Sequence, residues 1–335
     1  MAEDTFYNLG RIEAIRRLYE GSTYRPFRAA QTFPAKDEGV TCASRSFMEG
    51  VDFDLTYFPL QHLGHKCVTA VTGSLLAGFA RPKTLTVRLG VSSKLDFTHM
   101  KMLWEGISRA AGEYAYEDLD LDIAPSINGL FISVSAVGTV IRDSRRPPVQ
   151  TKDLLCISGS LGGAYFGFRV LEAGKKETDE KKRSALLEKH RLMVGDYLHP
   201  QLNPHIVDQM EDSGIIPSYG QLTDRGLADA VLQAVRDTGL GAKVYAERIP
   251  FEGNSFDLGR EMGVDTVTAA MNGGEDYRLL YVVPIAQFDT FRHDFQTFEV
   301  IGHMAQSDVG AVLVTPDGVE LPMKAQGWPE NDSKH

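Results

Sequence analysis

The chain has 335 residues, 43% of them apolar and 24% charged, and a formal net charge of −10. That is ordinary for a globular protein and long enough for two cores, at roughly 100–200 residues per domain. The acidic balance argues against a generic nucleic-acid or anionic-membrane binder, though not against a local anion site. Along the chain, residues 60–77 carry a helical stripe at Leu60, Leu63, Cys67, Ala70/Val71 and Leu75. Residues 84–91, TLTVRLGV, alternate with period two and predict a half-buried strand. Residues 97–114 again show helical spacing (Met100, Leu103, Ile107, Ala110/Ala111), and 129–140 read as a strand rich in β-branched residues. Arg145, Arg146, Pro147 and Pro148 interrupt the pattern, because two prolines continue neither a ladder nor a helix.

A second unit opens with a strand over 153–158, then Gly159-Ser-Leu-Gly-Gly and a helix from about Ala164. The charged stretch 175–189 predicts a solvated helix or loop. Leu227, Ala230/Val231 and Ala234/Val235 form a helical stripe ending at Gly239, a plausible C′ position. Residues 278–284 and 310–316 are late strands. The mixture gives an α/β (α+β) class, with units expected at 1–148 and 149–330 and a tail at 331–335. Cys42, Cys67 and Cys156 are far apart and form no CxxC pair, so a reducing, cytoplasmic setting fits best. No apolar run reaches the roughly 18 residues of a membrane span, and the acidic first residues do not read as a signal peptide.

Four patterns are candidates for chemistry. Asn272-Gly-Gly-Glu275-Asp276-Tyr277 combines glycines that allow close backbone approach with two carboxylates; it reads either as a ligand site or as a polar turn before a strand. Gly159 to Gly163 places backbone N–H groups at a helix start, where phosphate binds, or serves tight strand-to-helix packing; it lacks the GK[ST] ending of a Walker A loop. Asp118, Asp120 and Asp122 alternate, so they share one strand face and offer hard oxygen ligands, or simply an acidic edge. His62 and His65, one turn apart near Cys67, suit packing better than a metal pair without a further ligand.

Seven segments in order resemble the thiamine-monophosphate kinase family from about Phe27 to Trp328. Glu49-Gly-Val-Asp52-Phe resembles EGVHF, Leu63-Gly-His-Lys66 resembles LGxK, 159–167 resembles GxLGxAxxG, and 272–277 resembles NGGEDY. Arg248-Ile-Pro, Ile301-Gly-His and Gln326-Gly-Trp328 keep the family's order. The resemblance implies a two-domain fold of the aminoimidazole ribonucleotide synthetase type, with an N-terminal domain that dimerises through its β-sheet. It also implies transfer of the ATP γ-phosphate to thiamine monophosphate, giving thiamine diphosphate, with aspartate-held Mg²⁺ between the phosphates. ATP and Mg²⁺ are thus the cofactors the resemblance implies, with a phosphorylated small molecule and a second copy as partners.

The metal ligands depart from that pattern. The early GDDAAV segment reads PFRAAQ, with Arg28 at an aspartate position. TTD becomes Ala43-Ser44-Arg45, and the histidine of EGVHF becomes Asp52. SD becomes Gly73-Ser74, and DISDGL becomes 222–227 with Arg225 at an aspartate, unless a one-residue shift brings in Asp224. Asp122 matches the aspartate of GGDT. By the resemblance, Arg146 corresponds to a nucleotide-binding arginine, Glu275 to a substrate-binding glutamate and Trp328 to an aromatic that packs on thiamine. A unit charge at ~4 Å is worth ~4 kcal/mol at an effective dielectric of 20, and about twice that against a divalent ion. Metal binding by Asp122 and Asp224 alone is therefore expected to be weak, and kinase activity lost or strongly reduced. Arginine binds phosphate as a bidentate fork without metal. Arg28, Arg45 and Arg225 are accordingly expected to form a metal-free anion site with Arg146 and Asp122 alongside. Asp52, Glu275 and Trp328 are expected on the substrate side. The alternatives are a working Mg²⁺-dependent kinase and a non-catalytic dimer partner of an active relative.

Overall fold

The computed structural model describes residues 30–34, 39–140 and 146–328, the first five as backbone only. Arg28, Arg145 and the tail 331–335 lie outside the described residues. The described chain opens with β1 (Ala30–Pro34) and β2 (Gly39–Met48), followed by α1 (Leu60–Ala77), β3 (Ala80–Val91), α2 (Phe97–Glu113), β4 (Asp118–Pro125) and β5 (Phe131–Val140). These strands form one sheet in the order β1-β2-β5-β3-β4, antiparallel except for β3 beside β4. The strand expected at 84–91 starts four residues earlier. Its pairing with β5 runs on through Arg81, and the register shift between Pro82 and Thr84 accommodates a residue that has no N–H to donate.

The remaining elements are β6 (Leu154–Ile157), α3 (Gly163–Lys176), α4 (Glu180–Lys189), α5 (Arg191–Leu198), α6 (Ile206–Asp212), β7 (Tyr219–Leu222), α7 (Leu227–Thr238), β8 (Gly241–Tyr245), α8 (Ser255–Met262), α9 (Thr266–Asn272), β9 (Leu279–Val283), α10 (Phe288–Asp294), β10 (Glu299–Ala305), β11 (Ala311–Val314) and β12 (Glu320–Pro322). They contain a second sheet in the order β12-β11-β8-β10-β6-β9-β7. All five residues of β9 are buried, which accounts for its unbroken apolar run, LLYVV. The charged stretch became α4, no residue of which is buried. Gly239 ends α7 in the left-handed region, φ 70°, as its position implied.

Helix α1 positions the site. Fifteen of its eighteen residues are buried, including His65 and Lys66, because it packs on β2, β3 and β5 of the first sheet and on β7 and β9 of the second. Against α2 the approach is so close that a Cβ on Gly106 would sit 2.0 Å from the Gln61 carbonyl oxygen. One apolar cluster runs from Phe47, Leu63 and Val87 to Tyr277 and Tyr281, so the two sheets share a core around this helix. The face of the first sheet turned away from α1 carries Ser44, Ser46 and Met48 on β2 and Val137 on β5, all exposed. No helix among the described residues is long and apolar enough to cross a membrane.

Candidate functional site

The inner face of the first sheet, α1 and two loops of the second half meet at a cluster of buried charges. Strand β2 alternates, so Ala43, Arg45 and Phe47 all turn toward α1. Arg45 Nη1 donates to Asp224 Oδ2 at 2.9 Å and Nη2 to Glu275 Oε1 at 3.0 Å. One guanidinium fork thus bridges carboxylates that are 179 and 230 residues away in sequence. From α1, Lys66 Nζ reaches Glu275 Oε2 at 2.8 Å and donates to the Tyr197 carbonyl oxygen at 2.8 Å. That carbonyl belongs to the last turn of α5, where unpaired carbonyls favour a cation. The Tyr277 hydroxyl completes the set by donating to Glu275 Oε2 at 3.2 Å.

Aromatic rings line the cluster. Lys66 Nζ lies 3.6 Å from the Tyr197 ring centroid and 5.3 Å from that of Phe58, and the Arg45 guanidinium lies 5.2 Å from Phe47 and 5.6 Å from Tyr277. Lys66 is only 2% exposed, while Arg45, Asp224 and Glu275 keep 17%, 19% and 26% of their side chains open. Burial works against the Glu275 carboxylate, but Lys66 and Arg45 outweigh it and hold its pKa below the ordinary value. For Asp224 burial wins and the pKa is raised, although Arg45 and Arg225 oppose it. The backbone is strained at the same place: Glu275 and Tyr277 have φ of 66° and 50°, and Gly274 between the two loops has φ 71°. Such left-handed non-glycine residues cost of order 1 kcal/mol each and gather at binding sites. A hydrogen bond from Glu275 N to the Asp224 carbonyl, 2.9 Å, locks the two loops together.

The expected site residues fall into three groups. Arg45, Asp224, Arg225, Asp52 and Glu275 come together. Arg225 is 43% exposed, with Nε 4.0 Å from Asp224 Oδ2. Asp52 turns its carboxylate back to accept from Met48 N at 2.8 Å, and its charge is felt at Arg45. Asp122 is not part of this group within the chain. Its register row, Asp122–Arg88–Ser133–Ser46, lies on the opposite face of the sheet from Arg45 and crosses three strand spacings, about 14 Å. Asp118, Asp120 and Asp122 do share that outer face, but Arg88 sits among them, 2.7 Å from Asp120 and 4.0 Å from Asp122. Among the described residues no group of three or more His, Cys, Asp or Glu side chains is arranged to hold a metal ion.

Arg146 and Trp328 stand apart. Arg146 Nε donates to the Pro217 carbonyl at 2.8 Å, and Nη2 to that of Ala77 at 3.3 Å. Trp328 Nε1 donates to the buried Asp229 on α7 at 2.7 Å, with Arg236 over its ring at 5.4 Å. The helix start after Gly159 to Gly163 is already capped from within: Asp276 accepts from Gly162 N at 2.9 Å and from Ala164 N at 3.1 Å. Those N–H groups therefore serve a carboxylate of the chain itself rather than an open phosphate cradle. Burial pushes the Asp276 carboxyl up to about 7, against the pull of the two N–H groups. Lys66 and Tyr197 belong to the centre of the cluster although sequence reasoning gave them no role. A lysine inside an otherwise apolar helical run, in a motif shared with the kinases, was a usable signal for the first. Tyr197 carries none.

No protein-family model matches the chain. Among curated proteins it is 26% identical over 243 residues to the thiamine-monophosphate kinase of Aquifex aeolicus, covering 72% of this chain and 75% of that one. It is 26% identical over 256 residues to that of Synechococcus elongatus, 75% and 74% of the two chains. The structure of the Aquifex aeolicus kinase superposes with a TM-score of 0.75 at 21% identity, over 92% of this chain and 97% of that one. The chain is thus similar, at low identity, to thiamine-monophosphate kinases over about three quarters of its length, and it shares their fold. Other solved structures share its fold. An AaThiL complex with AMPPCP and TMP gives a TM-score of 0.79 at 18% identity over 98% and 100% of the two chains. The hydrogenase maturation protein HypE in complex with ATP gives 0.63 at 18% over 94% and 95%. In the present chain, the two carboxylates Asp224 and Glu275 are held by a guanidinium of the same chain.

Proposed function

We propose that the protein is a thiamine-monophosphate kinase-like chain in which phosphoryl transfer is lost or strongly reduced, while binding of a nucleotide or another phosphorylated ligand is retained. The observation that carries this reading is the Arg45 fork on Asp224 and Glu275. A magnesium ion needs carboxylate oxygens free to coordinate it; these two already share a cation that cannot dissociate, and Asp122 lies on the other face of the sheet. The residues present do not fit the several magnesium ions the family reaction uses, and no step is routed through them. Nucleotide binding draws support from the AMPPCP and ATP complexes among those solved structures. On this chain Arg225, with the widest exposure among the described arginines of the cluster, is assigned to the ligand's phosphate, and Asp52 and Glu275 to the mouth of the site. Arg28 is assigned to the same anion by its place in the family motif. Arg146 and Trp328, which stand apart from the cluster, are assigned to holding the Pro217 and Ala77 carbonyls and Asp229 rather than the ligand. The division at 148 and the cytoplasmic setting belong to the same reading.

The test is a coupled ATPase assay with thiamine monophosphate and Mg²⁺, beside calorimetric titration of ATP with and without EDTA. Kinases typically turn over at about 1–100 per second. We expect turnover at least a hundredfold below that range and ATP binding that survives EDTA. Turnover within about tenfold of it, or binding that vanishes without Mg²⁺, refutes the proposal.

The exposed outer face of the first sheet, with Ser44, Ser46, Met48 and Val137, favours pairing of two chains through that sheet. Either a second copy or an active relative would fill it. Light scattering and co-purification distinguish a homodimer from a mixed pair, and a monomer at micromolar concentration excludes both.

A further inference from the structure

Three histidines, none of them part of the charge cluster, meet where α1 touches the end of α5. His62 and His65 lie one turn apart on α1, and His199 follows α5 directly. The His65 and His199 rings stack with centroids 3.8 Å apart and planes 18° from parallel, and His62 meets His199 edge-on at 4.9 Å. His65 is 3% exposed. Its Nδ1 is 3.3 Å from the Thr69 hydroxyl, and its Nε2 is 3.4 Å from Glu113 Oε2 on α2. The Tyr114 ring closes the far side at 6.2 Å. His62 Nδ1 is buried with no hydrogen-bond partner.

We propose that this histidine stack is a proton-sensitive seam: protonation drives His199 and the end of α5 away from α1, and so releases the Lys66 anchor of the charge cluster. Two facing imidazolium rings at 3.8 Å would repel, and among the described residues the carboxylate paired with the stack is Glu113, itself half exposed and 3.4 Å from His65. Lys66 cannot compensate, because it is a cation and turns to Glu275 and the Tyr197 carbonyl. Tyr197 is two residues from His199. Parting the stack therefore pulls on the carbonyl and the ring that hold the Lys66 ammonium. The parallel rings do not converge their nitrogens as metal ligands would, in keeping with the absence of a metal-holding group among the described residues. Burial and the neighbouring histidines push His65 down to about 4 and lower His62 as well.

The sign follows. A histidine depressed in the closed state favours the open one as pH falls below its ordinary 6.5. With 6.5 open and about 4 closed, opening at pH 5 is about 30-fold more favourable than at neutral pH from His65 alone. Hydrogen exchange of the full chain, read on peptides covering 60–69 and 191–202 and corrected for the intrinsic pH dependence, measures this directly. The opening constant should rise about 30-fold between pH 7.5 and 5, by less than about threefold in His65→Phe, which keeps an aromatic ring but cannot titrate, and by a reduced factor in His199→Phe, which removes the facing imidazole but leaves His65 buried. An unchanged constant in the wild type, or an undiminished response in both variants, overturns the proposal. So does a response that EDTA abolishes, which would mark a bound metal. Should the variants not fold, an NMR titration of the wild-type imidazoles decides: one titrating below pH 5 supports the seam, and all titrating between about 6 and 7 overturn it.

Discussion

Replacing Arg45 with alanine asks how much the protein depends on its internal cation. The guanidinium joins Asp224 and Glu275 at 2.9 and 3.0 Å, and none of the three side chains is more than 26% exposed. Removing one partner of such a buried set costs about 3–5 kcal/mol, because the charges left behind stay buried. Glu275 keeps Lys66 at 2.8 Å, so the loss falls mainly on Asp224, whose other cation, Arg225, is 4.0 Å away and half exposed. The lower end, about 3 kcal/mol, is expected, and for a chain of this size that lowers the melting temperature by roughly 4 °C. The pH dependence carries a sign. The pKa of Asp224 is raised by burial even with Arg45 present, and loss of the guanidinium raises it further. A carboxyl raised in the folded state favours folding at low pH and loses that contribution as pH climbs through its folded pKa. The deficit of Arg45→Ala against wild type should therefore be largest at pH 7.5 and shrink toward pH 5. Melts by circular dichroism at four pH values measure it. Coincident melts at pH 7.5, or a deficit that grows on acidification, would show that Arg45 is not what neutralises this site.

Arg45→Asp should create a divalent-ion site: a third carboxylate beside Asp224 and Glu275 is expected to yield about 1–2 kcal/mol of stabilisation at ~10 mM Mg²⁺, for a Kd near 1 mM, where the wild type shows none. Trp328→Phe keeps the ring but removes the indole donor to Asp229, which is 1% exposed; a loss of about 1–3 kcal/mol is expected in denaturant unfolding, with little effect if the contact is incidental. Asp276→Asn removes a carboxyl pushed up to about 7, whose contribution to stability falls as pH climbs from about 4 to about 7 and then levels off; the variant's melting temperature should lack that slope, and an identical pH profile would count against the assignment.

Local pattern carried much of the fold. The stripe from Leu60 to Leu75 gave α1 with its observed ends, and the alternation over 84–91 gave the face of β3 that turns inward. Period-two and period-3.6 patterns report which face is buried, and that is a local property. The site depended on what is not local. Arg45, Asp224 and Glu275 were each singled out, the first two by departure from or fit to a kinase motif, but nothing in sequence says that one guanidinium spans both carboxylates. Arginine where the kinase motif has an aspartate reads equally as an anion fork and as an internal cation; only the distances decide, and they show its donors committed to Asp224 and Glu275. Asp122 shows the opposite limit. Its motif match placed it with the others, yet strand parity and two intervening strands put it on the far face.

The cluster also bears on how the divergence is to be understood. Without Arg45, Glu275 would keep only Lys66, and Asp224 would be left buried with the distant Arg225, a state costing several kcal/mol that drift to neutral residues would relieve. Both carboxylates are present, and each meets a donor at hydrogen-bond distance from Arg45, with Lys66 on the second oxygen of Glu275. Two cations against two carboxylates leave the centre balanced, so what remains to attract a ligand is the rim: Arg225, Asp52 and the strained loop of Glu275 and Tyr277. A divalent ion would couple these carboxylates to a ligand's phosphates and leave with the product. A guanidinium tethered to β2 neutralises the carboxylates permanently, but with its donors committed to them it neither couples them to a ligand nor leaves. Under the proposed loss of phosphoryl transfer, the centre would serve structure rather than catalysis, and the strained rim of Glu275 and Tyr277 would be what is left to meet a ligand.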